Sequence, residues 1–361
     1  MRLRNVEVIA PNFKRRLSGV TSTVVQLLPL QARALGIAAL GPGLPSDLPH
    51  IAWWQVPGLW RRPERRPFRI WHARRNVEML AGIVLRDILR MPLKLLFTSA
   101  AQRNHTAWTR FLIDRMDAVI ATSARSAAFL KVPATVNMHG IDLSRFTPDG
   151  PLPAEAKRFE GRLVVGCSGR VRHQKGTDVF VDAMIALLPR HPEWTAVITG
   201  RTTPEHAAFQ RDLAERIERA ALADRIVFLG EVDDITPWFR RFDLYVAPPR
   251  NEGFGLTPLE AMACGTPVVA STAGAFQELV VEGVTGRIVP AGDAAALADA
   301  AEVYMADAAL RHAAGQAALT HVREHFPLER EAAGIAAVYE RLWDTSPSSP
   351  AKSASMISTS L

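Results

Sequence analysis

The sequence predicts an α/β protein built from two Rossmann-like domains, and three observations carry that prediction. Short apolar strands alternate with helical patterns from the first residues onward. The alternation breaks at a proline-rich connector, Thr147-Pro-Asp-Gly-Pro-Leu-Pro153, and restarts after it. Finally, 361 residues exceed what one ordinary core accommodates. Parallel strands covered by helices on both faces follow from such a rhythm. Two tandem units then give a two-domain α/β protein with ligands expected in a cleft between them.

The elements are justified in order. Residues 3–10 read as an opening strand, followed by a loop to Gly19 and a helix over 21–35 that stops at Gly36. Residues 41–68, rich in Pro, Gly and Trp, read as an irregular excursion. Strands at 69–72, 94–97 and 118–121 alternate with helices near 76–90 and 103–115. After the connector, strands at 164–168, 194–199, 226–229, 243–247 and 268–270 alternate with helices at 177–188, 204–220, 234–240 and 257–264. The expected division is therefore 1–150 for a first domain and 151–323 for a second, followed by a closing segment over 324–345. The polar, low-complexity tail 346–361 is expected to be disordered.

Charge is unevenly distributed. Residues 1–150 hold 22 Lys and Arg against 9 Asp and Glu, whereas the remainder holds 21 against 27. The basic half suits an anionic partner. Cys167 and Cys264 lie far apart in apolar or turning segments, which excludes a disulfide framework. No signal-peptide pattern and no run of about 18 uncharged apolar residues is present. The reading is of a cytoplasmic protein, soluble or peripherally attached to a membrane. In His50–Arg69, Trp53, Trp54 and Trp60 stand beside Arg61, Arg62, Arg65 and Arg66. That mixture suits the boundary between water and anionic lipid headgroups, or a solvated basic loop. No nucleic-acid-binding module accompanies the charge.

Three segments carry chemistry. Asn251-Glu252-Gly253-Phe254-Gly255-Leu256-Thr257-Pro258-Leu259-Glu260 sets two carboxylates across a glycine-rich bend that opens a helix. Thr257 reads as its N-cap, Pro258 as its first residue and Gly265 as its stop. Amides at such a helix start suit a phosphate, and the flanking carboxylates suit hydroxyls on either side of it. Glu260 also fits a capping box with Thr257, and that alternative stays open. In the second segment, Gly169-Arg170-Val-Arg-His-Gln-Lys175-Gly176-Thr177, Arg170 and Lys175 follow the first strand of the second domain. There they can grip a diphosphate and bear its developing charge, or stand as two solvated loop cations. Third, Gly19 in the first strand-to-helix turn permits close approach to a phosphate. The chain carries neither a Walker loop nor a dinucleotide fingerprint, which disfavours a nicotinamide enzyme. The pair Asp233-Asp234 reads as a helix start rather than a metal site.

These residues together resemble the retaining GT-B glycosyltransferases of family four. Those quoted are Gly19, Gly169-Arg170, Lys175-Gly176, Glu252 and Glu260 around Gly-Phe-Gly, Gly265-Thr-Pro267-Val-Val-Ala270 and Gly283-x-x-Gly286. Trp71-His-Ala-Arg-Arg-Asn76 and Phe97-Thr-Ser-Ala-Ala-Gln-Arg103 make the chain most similar to bacterial lipopolysaccharide core mannosyltransferases. The resemblance covers about residues 5–345 and implies an acceptor-binding first domain over 1–150, a nucleotide-sugar-binding second domain over 151–323 and a closing helix over 324–345 that returns to the first. It implies a hexosyltransferase that needs no metal or cofactor and uses a nucleotide sugar, GDP-mannose, as substrate. A lipid-linked glycan would be the acceptor, at the inner membrane's cytoplasmic face. Under it, Arg170 and Lys175 hold the diphosphate and Glu252 the sugar hydroxyls. Glu260 holds the ribose, and the backbone of Gly253, Phe254, Gly255, Leu256 and Thr257 completes the donor site.

Two departures stand out. Where the family carries a histidine after the strand at 94–97, this chain has Thr98 or Ser99. His72 and His105 are the candidates to replace it, with His72 preferred because it ends a strand and precedes Arg74 and Arg75. The family's Asn-Gly-Val-Asp is His139-Gly140-Ile141-Asp142 here. The missing histidine supports one rival, a non-catalytic protein binding nucleotide sugars or glycans on the same scaffold.

Overall fold

Seven strands form the first sheet: β1 (Val8–Pro11), β2 (Ile37–Leu40), β3 (His50–Ile51), β4 (Arg69–Ala73), β5 (Leu93–Ser99), β6 (Ala118–Ala121) and β7 (Thr135–Val136). Their order is β3-β2-β1-β4-β5-β6-β7. The second sheet has six: β8 (Leu163–Ser168), β9 (Trp194–Thr199), β10 (Ile226–Gly230), β11 (Leu244–Ala247), β12 (Val268–Ser271) and β13 (Gly286–Val289). These run parallel in the order β10-β9-β8-β11-β12-β13. The structure is a computed structural model and describes residues 2–14 and 19–344. The tail expected to be disordered, and Ser18 before the Gly19 turn, lie outside the described residues.

Successive residues of the second sheet feed opposite layers, as a strand's period of two requires. Val165 and Cys167 enter one apolar cluster with Phe180, Met184 and Leu187, while Val164 enters another with Phe242, Tyr245 and Leu259. Both faces are thus dry, which explains why these strands read as unbroken apolar runs. Cys167 and Cys264 are buried free thiols, and burial pushes each up to about 12.

Contacts divide the chain into two units. One comprises residues up to Phe97, then Trp108–Val119 and Ala333 onward; the other comprises Thr98–Ala107 and Ile120–Ala332. The boundary expected at 150 therefore shifts, because residues 137–150 are bonded into the second unit. The Ile141 amide donates to the Phe326 carbonyl at 2.8 Å, and Arg240 Nε donates to the Thr147 carbonyl at 2.8 Å. The closing helix, Leu328–Asp344, has its later residues in the first unit. There Tyr339 meets His72, Trp343 Nε1 donates to the Phe68 carbonyl at 3.2 Å, and Glu340 takes a two-pronged bond from Arg66.

Other expectations need adjustment. The first strand starts at Val8, because Leu3–Asn5 turns as a short 3-10 segment. The excursion over 41–68 is ordered by one buried cation. Arg69 donates to the carbonyls of Val6, Leu3 and Arg61, tying down the 3-10 helix Trp53–Trp60. The helix expected over 76–90 is α-helical only through Ile83. It widens into a π turn, Val84–Ile88, where the Leu89 amide reaches back to Val84. The helix near 103–115 begins at Ala107. Strand β13 joins the sheet edge beyond the last strand expected from the sequence.

Candidate functional site

The strand order of the second unit reverses between β8 and β11, and ligands of open α/β sheets bind beyond strand ends at such a point. The loops leaving those two strands are Gly169–Gly176 and Pro248–Leu256, the two segments singled out by sequence. They converge. Lys175 Nζ forms an ion pair with Glu252 Oε2, and the other Glu252 oxygen accepts the Gly253 amide at 3.1 Å.

A residue that sequence reasoning passed over sets this convergence. Arg250 Nη1 and Nη2 fork onto the two oxygens of Asp178 at 2.7 and 2.8 Å. Arg250 also donates to the carbonyls of His173 and Gln174. The 250s loop is thereby stapled to the 170s loop and the helix after it. Burial works to raise the Asp178 carboxyl, but the bonds and charge of Arg250, with His173 behind them, hold it below the usual carboxylate range. Nothing in the local pattern marks an arginine seventy-two residues from its partner.

Backbone geometry holds both loops. Gly176 sits at φ +68°, where an added Cβ would collide with the Pro248 carbonyl oxygen. Gly255, at φ +87°, lies against the Phe276 ring with no room for a Cβ. Only glycine satisfies both demands. Phe254 between the glycines is 4% exposed, and its carbonyl accepts the Ala275 amide at 3.0 Å. Gly253, Leu256 and Thr257 are partly exposed around it.

The following helix spans Thr257–Ala263, with Leu256 at the N-cap, so Thr257 is its first residue and Pro258 its second. Thr177 is likewise the first residue of its helix, after Gly176. The helix at 257 ends as expected. The Gly265 amide donates to the Met262 carbonyl and the Thr266 amide to Ala261, a paired capping pattern around a left-handed glycine. Leu256 has no capping side chain, so the capping box considered for Glu260 does not form. Burial raises the Glu260 carboxyl to about 7, with Arg145 acting in the opposite sense.

Two further cations stand in the 170s loop. Arg170 is exposed. Arg172 is half-buried, and its Nε is shut from solvent without a hydrogen-bond partner among the described residues. Burial, then the charge of Arg170, lower the Arg172 guanidinium, while Glu252 and Glu205 act against that. A buried donor so placed suits an anion's oxygen. The Arg-x-Arg spacing was the available signal. Asp234 binds the amide and hydroxyl of Thr236 and accepts from Arg145, so it serves the helix Thr236–Arg241. Among the described residues no group of three or more potential metal ligands occurs.

In the first unit, Gly19 opens the helix Gly19–Gln31. Nearby, Arg75 donates to Asn12 Oδ1, to Thr21 Oγ1 and to the buried carboxylate of Glu78. His72, preferred as the histidine facing the donor, is placed otherwise. Its ring is 0% exposed, and Nδ1 lies 2.7 Å from the Tyr339 hydroxyl. Burial, with the charge of Arg74, drives its pKa well below the ordinary value. A neutral, enclosed ring anchoring the closing helix reaches no sugar, so His72 is a structural residue.

Comparison with known proteins adds the following. Residues 162–307 match the family described as glycosyl transferases group 1. Over 345 residues the chain is 63% identical to the lipopolysaccharide core biosynthesis mannosyltransferase LpcC of Rhizobium leguminosarum bv. viciae, spanning 94% of this chain and 97% of that one. It is 58% identical over 348 residues to LpsB of Rhizobium meliloti (strain 1021), also named a lipopolysaccharide core biosynthesis mannosyltransferase, spanning 94% and 99%. Among solved structures, the Anabaena protein Alr3699/HepE in complex with UDP and glucose superposes with a TM-score of 0.76 at 20% identity, over 93% of this chain and 99% of that one. A glycosyltransferase from Rickettsia africae superposes with a TM-score of 0.80 at 18% identity, over 95% and 100%. At such identities these two likenesses speak to the fold alone.

Proposed function

The chain belongs to the group 1 glycosyltransferases, among the mannosyltransferases of lipopolysaccharide core biosynthesis, and from that premise we propose how its second unit handles a donor. The donor is a nucleotide sugar, GDP-mannose, with its diphosphate at the turn between β8 and β11. The meeting of Lys175 with Glu252, two loops apart in sequence but stapled by Arg250, carries this reading.

Without ligand, Lys175 and Glu252 neutralise each other. A bound diphosphate takes over Lys175, joined by Arg170 and the idle Nε of Arg172, and frees Glu252 for sugar hydroxyls. Glu260 takes the ribose hydroxyls, and the amides from Gly253 to Thr257 take sugar and phosphate oxygens. As the glycosidic bond breaks, negative charge grows on the leaving diphosphate. The loop cations are already in place there, so the stabilisation needs no reorganisation. Attack on the same face, with the departing phosphate accepting the acceptor's proton, retains configuration. No metal is assigned a part. The acceptor, a lipid-linked core glycan, falls to the basic first unit.

The test is binding and turnover in one preparation. A saturating nucleotide sugar at about one hundred times its dissociation constant stabilises a protein by about 2.7 kcal/mol, which a melting curve resolves. GDP-mannose is expected to raise the melting temperature, and core acceptor to trigger GDP release. Lys175→Ala is expected to slow that release by about 10²- to 10³-fold, the scale of losing one transition-state contact. Chelation by EDTA is expected to leave the rate unchanged. Stabilisation by UDP- or ADP-sugars in place of GDP-mannose would correct the donor, and binding without any turnover would replace the transferase with a binding protein.

A further inference from the structure

A buried carboxylate paired with a part-buried imidazole beside the donor loop has no part in the scheme above. His139 follows β7, and its Nδ1 lies 2.7 Å from Oε1 of Glu331. A carboxylate only accepts, so Nδ1 carries the proton. The other Glu331 oxygen accepts the Gly140 amide at 2.8 Å, and Asn137 Nδ2 donates to the Glu331 carbonyl at 3.1 Å. The backbones beside them are laced together, with the Ile141 amide on the Phe326 carbonyl and the Leu328 amide on Ile141 at 3.0 Å. Glu331 is 4% exposed, and a carboxylate so enclosed depends on these bonds. The imidazole it fixes stands edge-on to Phe254, with ring centroids 4.9 Å apart and planes at 85°.

Phe254 is the one side chain between Gly253 and Gly255. Neither glycine has a side chain to anchor the bend, so beside the Phe254 carbonyl's bond to the Ala275 amide it is the Phe254 ring that holds the bend in place. We infer that His139, oriented by Glu331, is a positioning residue. Its ring edge fixes Phe254, and Phe254 fixes the backbone amides of 253–255 that receive the donor sugar. The inference rests on the donor reading above. It also gives a role to the histidine standing where the resembled family carries asparagine.

The experiment compares the full chain's affinity for GDP-mannose with its affinity for GDP, by calorimetric titration. Their ratio isolates what the sugar contributes. His139→Ala is expected to lower that ratio by about three- to tenfold, the scale of one edge-to-face aromatic contact. Affinity for GDP itself should fall by a smaller factor than affinity for GDP-mannose, since the cations that meet the diphosphate's charge lie in the other loop. Phe254→Leu should give a similar loss, and the double variant no more than either single one, as action through Phe254 demands. Glu331→Gln, at unchanged volume, has one acceptor oxygen for two donors, so its amide nitrogen must face either the Gly140 amide or the Nδ1 proton, and it should move the ratio the same way. With Phe254→Leu it carries the comparison should His139→Ala fold poorly. A ratio unchanged in these variants, whatever their melting temperatures do, overturns the inference, and so does additive loss in the double variant. A wild-type chain that binds neither compound sinks the donor reading itself, a separate outcome.

Discussion

Glu260 and Asp178 illustrate opposite uses of one carboxyl chemistry. Glu260 has a folded pKa near 7, above its unfolded value, so folding binds a proton between roughly pH 4.5 and 7. Stability from this group is therefore greatest at acid pH and declines as pH rises through about 7. Glu260→Gln should flatten that decline and raise the melting temperature at pH 8, read by denaturation across pH. Ribose hydroxyls prefer the ionised carboxyl, so donor binding at pH 6.5 should release protons, seen as heats that depend on the buffer's own ionisation enthalpy. Heats indifferent to buffer would remove Glu260 from the ribose. Asp178 runs the other way. Its folded pKa is depressed, so its contribution is present above the unfolded value and lost as pH falls through the folded one. Arg250→Ala leaves that part-buried carboxylate unpaired, at a cost of about 3 kcal/mol, and unstaples the two loops. Both stability and GDP affinity should fall, and a variant that melts early yet binds GDP normally would confine Arg250 to structure.

At the scale of elements, what a sequence reveals is what neighbours along the chain decide. The helix stop at Gly265 was legible because its bonds run from residues 265 and 266 to 262 and 261. Gly265→Ala should cost about 1 kcal/mol at that left-handed position, measurable by urea unfolding. The central strands were legible because both their faces are apolar. The helix after Asn76 was overextended, because its apolar spacing continues while the backbone widens into a π turn, and no residue type announces that change. The ordered excursion at 53–60 escaped for a different reason. Its anchor is Arg69, a guanidinium buried among carbonyls of residues 3, 6 and 61, and burial of a charge is invisible in composition. The donor site divides along the same line. Lys175 and Glu252 lie in loops with readable glycine patterns and Glu260 in the helix that the second loop opens, whereas Arg250 and His139 act through partners 72 and 192 positions away. His72 misled because a strand-terminal histidine beside two arginines carries no mark of the helix that covers it.

Over the whole molecule the charge asymmetry and the exposed aromatics have one economical explanation. The basic excess lies within residues 1–150, while the remainder, which holds the proposed donor loops, is acidic overall. In the same half, Trp53, Trp54 and Trp60 are 57%, 80% and 50% exposed, within a 3-10 helix that Arg69 holds rigid. Solvent-facing tryptophan is costly to keep unless another phase receives it. No helix among the described residues is long and apolar enough to cross a membrane. We propose that this surface attaches the chain to a membrane from one side. A lipid-linked acceptor would require this attachment. The arginines divide by structure: Arg66 is engaged with Glu340 and Glu7, whereas Arg61, Arg62 and Arg65 make no ion pair among the described residues. Each free basic residue near an anionic surface is worth about 1 kcal/mol, and that contribution is screened by salt. The chain should therefore co-sediment with vesicles rich in anionic lipid at low ionic strength and dissociate as salt rises. Trp54→Ser should weaken binding at every salt concentration. Replacing Arg61, Arg62 and Arg65 with Gln should weaken it at low salt and leave little further salt dependence, with donor affinity untouched. Equal sedimentation of wild type and the triple variant at low salt would show that this surface meets something other than a membrane.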